Sequence, residues 1–113
     1  MQYEVFSTSM DLMDSNSTLQ VEVDTLAPIF AEHFPGYPIV PAAFTVGFVL
    51  ACCRTLMPGK SFQVKRVVFT EPITPGLSLQ LQFTGLHRSE PRELGFTLSS
   101  SGFIHCRGSV MYV

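Results

Sequence analysis

The stretch from Leu77 to Leu86 alternates without a slip. Leu77, Leu79, Leu81 and Phe83 fall on one side, and Ser78, Gln80, Gln82 and Thr84 on the other. A period of two places each set on one face of a β-strand. Thr18 to Asp24 repeats the pattern, with Leu19, Val21 and Val23 set against Gln20 and Glu22. Gln2 to Ser9 reads as a first strand with Tyr3, Val5 and Ser7 on one face. Phe62 to Phe69, Glu93 to Ser99 and Gly102 to Tyr112 supply three more strands. Turns are expected at Asp14–Ser17, Thr74–Gly76, His87–Arg92 and Ser100–Gly102, where Gly, Pro, Asn, Asp and Ser gather.

One segment breaks the period. Ala42 to Met57 has no breaker except Gly47, and Pro58-Gly59 ends it. Pro41 stands where a helix can start, since its missing N–H would be unpaired there. Arg54 is the only charge in this helix and lies near the negative end of its dipole. A helix apolar nearly all round must be covered on most sides. An antiparallel sheet curled around it would do this. Pro28 to Glu32 adds a short helical turn ahead of it.

Composition adds a subunit. The 113 residues read as one domain, 1–113. They are 46% hydrophobic and only 14% charged, more apolar than a small monomer with a high surface-to-volume ratio needs. The surplus points to a buried interface. A formal net charge of −2 argues against nonspecific nucleic-acid binding. Cys52, Cys53 and Cys106 show no metal-ligand spacing and fit a reduced, cytoplasmic setting. No secretion signal is visible, and the apolar run from Ala42 to Cys53 is too short to cross a bilayer.

The candidate chemistry lies just ahead of the helix. His33-Phe34-Pro35-Gly36-Tyr37-Pro38-Ile39-Val40-Pro41-Ala42 sets a histidine before a loop locked by three prolines. Each proline fixes its own φ and restricts its predecessor, and Gly36 admits angles others resist. A stiff loop holds a histidine in one place, and imidazole is the usual base near neutral pH. This segment resembles the signature of the hotdog-fold β-hydroxyacyl-acyl carrier protein dehydratases (FabZ/FabA-like), with only the final glycine changed, to Ala42. Val67 to Leu79, with its Pro-Gly turn at Pro75-Gly76, looks like the strand, turn, strand unit of the same family.

The resemblance implies an α+β hotdog fold: a curled antiparallel sheet wrapped around one long central helix, working as a dimer. It implies removal of water from a 3-hydroxyacyl thioester to give a trans-2-enoyl thioester, in fatty-acid, polyene or polyketide-type synthesis. The substrate would ride on an acyl carrier protein or on CoA, and no cofactor or metal is expected. By the same resemblance His33 is the base and the backbone N–H of Ala42 polarises the thioester carbonyl. Phe34, Pro35, Gly36, Tyr37, Pro41 and Ala51 would contact substrate. The family's helix acid, fourteen positions after the histidine, falls on Gly47, and its glutamine falls on Ala51. Both polar helix groups are therefore missing, as the acid also is in some relatives of the aryl polyene pathway. Gly47 within a helix costs roughly 1 kcal/mol against alanine. Close helix approach across a dimer, drift after lost activity, room for a bulky substrate, and an acid supplied by another chain each account for it.

The alternative class is a non-catalytic hotdog subunit that binds acyl thioesters or completes a heteromer; a thioesterase ranks last, because those enzymes generally activate water with a carboxylate and this helix offers none. Partners are therefore expected to be a homodimer or higher homo-oligomer, or a heteromer with another hotdog subunit. Glu32, Glu71 and His87 read as solvated, and His105 as a satisfied sheet histidine. Lys60, Lys65, Arg66 and Arg54 are the cations available to meet an acidic carrier protein.

Overall fold

The computed structural model describes residues 2–3, 5–32, 36–86, 88 and 90–113. His33, Phe34, Pro35 and His87 lie outside the described residues. Among the described residues, seven strands form one antiparallel sheet: β1 (Gln2–Tyr3), β2 (Phe6–Thr8), β3 (Thr18–Val23), β4 (Phe62–Phe69), β5 (Ser78–Thr84), β6 (Glu93–Ser100) and β7 (Phe103–Tyr112). Their spatial order is β1-β2-β3-β5-β6-β7-β4. The helix α1 (Ala42–Leu56) enters between β3 and β4. This is the hotdog arrangement.

The alternating strands bury the faces their sequences predict. Leu19, Val21 and Val23 of β3 and Leu79, Leu81 and Phe83 of β5 form the floor of the core. Leu94, Phe96 and Leu98 of β6 extend it, and α1 answers with Thr45, Phe48, Val49, Cys52 and Cys53. Phe48 packs against Phe6 with ring centroids 4.7 Å apart.

Three expectations need correction. Gln2 to Ser9 is not one strand but a tight hairpin, Gln2 opposite Ser7 and Tyr3 opposite Phe6. The reversal inverts the facing, so Phe6 and Thr8 point inward rather than Ser7. The helix ends at Leu56, one residue early, with the Met57 N–H donating to Cys53 O at 2.9 Å. Finally, α1 is covered on one face only. Thr45, Phe48, Val49, Cys52 and Cys53 share helical spacing and face the sheet. Ala43 and Arg54 are exposed, and Val46, Gly47, Leu50 and Ala51 are half-buried.

Two bulges set the outer strands. On β4 the register passes from Val64 to Arg66 while β7 advances one residue, leaving Lys65 as the extra. An extra residue reverses which face the rest of a strand presents. Phe62 and Val64 pack inward before the bulge and Val67 after it, so Arg66 and Val68 turn outward. On β7 the register against β6 slips at His105, which lets His105 and Cys106, adjacent in sequence, both be buried. No helix among the described residues is long and apolar enough to cross a membrane.

Candidate functional site

Pro41 sits at the N-cap of α1 with ψ near 143°, and Ala42 opens the helix. The Pro41 carbonyl accepts from Phe44 N at 3.0 Å and Thr45 N at 3.4 Å. The first N–H groups of a helix have no carbonyl before them, and that of Ala42 has no protein partner among the described residues. It stands at the positive end of the helix, where developing negative charge is stabilised.

Ala42 lines a pocket of about 340 Å³. Pro41 and Ala42 form one side, and Phe69, Thr70, Glu71 and Pro72 the other. The two sides are joined where Val40 N donates to Ile73 O at 2.8 Å. Of the predicted substrate contacts, Pro41 lines this pocket with Ala42. Gly36 takes a left-handed φ of 78° in the loop, and Tyr37 beside it is exposed. Gly47 and Ala51 lie further along the half-buried face of α1. These four are not among the residues that line the pocket.

Glu71 is the one carboxylate among the lining residues. From the sequence alone it is expected on the surface. It is exposed, but it also lines the pocket, on the segment that leaves β4. A pattern argument had no means of placing it opposite Ala42, because a chain reversal and a strand separate them.

The far wall is braced from behind by His105, which is 5% exposed. Its Nδ1 faces two carbonyl oxygens, Pro72 at 3.0 Å and Glu71 at 3.3 Å, so that nitrogen carries the hydrogen and donates. Its Nε2 then accepts from the Ser100 hydroxyl at 2.5 Å. The His105 carbonyl takes Thr70 N at 2.9 Å, and the Thr70 hydroxyl donates to Ile104 O. Both ring nitrogens and the carbonyl of the histidine are therefore engaged, as the reading of a satisfied sheet histidine requires. Its partners make it a support of the pocket wall.

The cations do not form one rim. Lys65 pairs with Glu93 at 2.8 Å, and Arg66 points to the outer face of the sheet.

The cysteines are buried thiols. Burial pushes Cys52 and Cys53 up to about 12 and Cys106 to about 11, from 9.0. Thiolate is the reactive form, so the native protein is expected to resist a thiol-labelling reagent at neutral pH and to react at three sites once unfolded. The raised values also fix a pH slope. Stability from keeping these thiols neutral is full below about pH 9 and is lost as pH rises toward 11 to 12. Denaturation midpoints at pH 8 and pH 10 test this, the second being the lower.

A family model described as ApeI-like, ApeI dehydratase, matches residues 9–109, nearly the whole chain. The chain belongs to this dehydratase family. Among solved structures, the dehydratase heterocomplex ApeI:P from Xenorhabdus doucetiae is 26% identical, with 84% of each chain covered and a TM-score of 0.73. An uncharacterized protein from Erwinia carotovora subsp. atroseptica is 24% identical over 96% of this chain and 92% of its own, with a TM-score of 0.65. The dehydratase domain of the polyketide PpsC from Mycobacterium tuberculosis has a TM-score of 0.74 at 16% identity. This chain spans 45% of that domain. The fluoroacetyl-CoA-specific thioesterase FlK shares the fold more loosely, at 18% identity and a TM-score of 0.55. No curated protein matches the chain.

Proposed function

We propose that this ApeI-like protein removes water from a 3-hydroxyacyl thioester, carried on an acyl carrier protein or CoA, to give the trans-2-enoyl thioester. The observation that carries this reading is the unengaged Ala42 N–H, at a helix start, opening into a pocket in a dehydratase-family chain. Polarising the thioester carbonyl there makes the adjacent C–H more acidic. His33, eight residues upstream of the pocket-lining Pro41, takes that proton as it does in the dehydratases its loop resembles. The carbon–carbon double bond forms as the hydroxyl leaves with a proton as water. No cofactor is called for.

Gly47 removes the usual helix acid, and Glu71 is the carboxylate this chain places at the pocket instead. Hydrogen bonding of the substrate hydroxyl to Glu71 would steer its departure. Glu71→Gln is then expected to lower kcat about tenfold or more with little change in KM. An unchanged kcat would move the acid to another chain.

A second reading is favoured by the heterocomplex to which the chain is similar and by the uncovered face of α1. In it, this chain is one subunit of a hotdog heteromer, and a helix Glu or Asp of the other subunit completes the site. The test is intact-mass detection of water loss from a 3-hydroxyacyl carrier protein, by the chain alone and mixed with such a subunit, with His33→Ala as control. Turnover by the chain alone, absent in the control, supports the first reading. Turnover only in the mixture, lost on His33→Ala, supports the second. Turnover in the mixture that His33→Ala leaves untouched would reduce this chain to a structural subunit.

A further inference from the structure

The charges of this chain are unevenly spread. Its first cation is Arg54, whereas Glu4, Asp11, Asp14, Glu22, Asp24 and Glu32 all precede it. The fold keeps them apart, with β2 and β3 toward one edge of the sheet and β7 and β4 at the other. At the basic edge, on the outer face and away from α1, lies a groove of about 390 Å³.

Two guanidinium groups line it. The bulge at Lys65 turns Arg66 outward, and Arg107 of β7 points the same way, opposite Val68 on β4 and Thr97 on β6. Arg66 opposes Ser109, so the two arginines are diagonal neighbours, about 7–8 Å apart at the backbone in such a pair. Like charges set so close on neighbouring strands repel. Among the described residues neither is within ion-pair distance of a carboxylate, and Glu93, on the same face of β6, is held by Lys65.

The rest of the groove supplies donors. Thr84, Thr97 and Ser109 contribute hydroxyls from three strands. Gly95 provides the room, since the Thr84 side chain occupies the space that a β-carbon on Gly95 would need. Two guanidinium forks and three hydroxyls suit an anion with three or more acceptor oxygens better than a carboxylate with two.

We propose that the groove between Arg66 and Arg107 binds a phosphate-ester group. The phosphates of CoA, the single phosphate of a carrier protein's pantetheine arm and free phosphate share that chemistry. The proposal is independent of whether the chain turns over an acyl thioester.

The test is calorimetric titration of the full chain with CoA, with pantetheine (the same arm without phosphate) and with inorganic phosphate, at low and physiological salt. Arg66→Gln, Arg107→Gln and the double variant are titrated alongside, with Arg88→Gln as an exposed control outside the groove. CoA is expected to bind and pantetheine to bind at least tenfold more weakly. Each single variant should lose about tenfold in affinity for CoA, and the double variant more, with the control unchanged. Inorganic phosphate binding that the double variant abolishes also supports the site, with free phosphate as its occupant. Equal binding of CoA and pantetheine, equal CoA binding by the double variant, or no binding of either phosphate-bearing probe at millimolar concentration would overturn it. Melting curves of the variants are expected to show no loss of stability, because both arginines are exposed and their mutual repulsion is relieved.

Discussion

Replacing Ala42 with proline is expected to cut turnover by about 10²- to 10³-fold, as losing one oxyanion donor does elsewhere, while leaving the protein folded. The substitution puts the ring's δ-carbon where the N–H hydrogen pointed into the pocket and leaves the rest of the helix start as it is. Proline is accommodated at the first position of a helix, where its fixed φ is already helical and its missing N–H breaks no intrahelical bond. The residue before it must be extended, and Pro41 is, at ψ near 143°. A variant that keeps its melting temperature and its kcat would show that the Ala42 N–H takes no part in the chemistry. The measurement is made in whichever assembly turns over, beside His33→Ala, so a shared loss reads as a shared site.

His105→Ala is expected to cost about 2–4 kcal/mol, from a buried hydrogen-bonding side chain lost and its partners left behind. The Glu71 and Pro72 carbonyls lose their donor and the Ser100 hydroxyl its acceptor. The damage should not stop at stability. The same carbonyls belong to the pocket wall, so KM for the acyl thioester should rise at temperatures where the variant is fully folded. His105→Gln, which can still present a donor toward the carbonyls, should recover part of both effects. A Gln variant as impaired as Ala would mean that the bulge needs the shape of the ring and not its hydrogen bonds. Urea denaturation and steady-state kinetics together separate the two.

These two sites differ in how visible they are in the chain. The Ala42 end was legible, because prolines and an apolar helix declare a helix start and the loop carries a family signature. The central strands were legible too. Leu79, Leu81 and Phe83 face the core as their period demands. What escaped was whatever depends on a slip in that period. Nothing in Val64-Lys65-Arg66 announces that a residue is skipped, yet the skip decides that Arg66 faces out and Val67 in. Ile104-His105-Cys106 hides the second slip in the same way. A sheet histidine with satisfied nitrogens could be expected at His105, but the partners of its Nδ1 lie on a segment more than thirty residues earlier. The hairpin at the N-terminus was missed because Tyr3 to Phe6 reverses without glycine or proline. The separation of charge lies in the sequence itself, whose first cation is Arg54, and the strand order carries it to the two edges of the sheet.

The two ends of the sheet are unlike. One finishes in β1, two residues long, and the other in β4, eight residues long with none fully buried. A long unpaired strand is an invitation to another backbone, and a stub is not. A β-sheet open at both ends can lengthen without limit, chain upon chain. Here two chains joined through β4 would use up both long edges and leave only stubs outward. Growth would then stop at the pair, whether the second chain is a copy or a different subunit. So paired, a protein with so much apolar sequence would offer no long hydrogen-bonding edge among its described residues from which a fibre could grow.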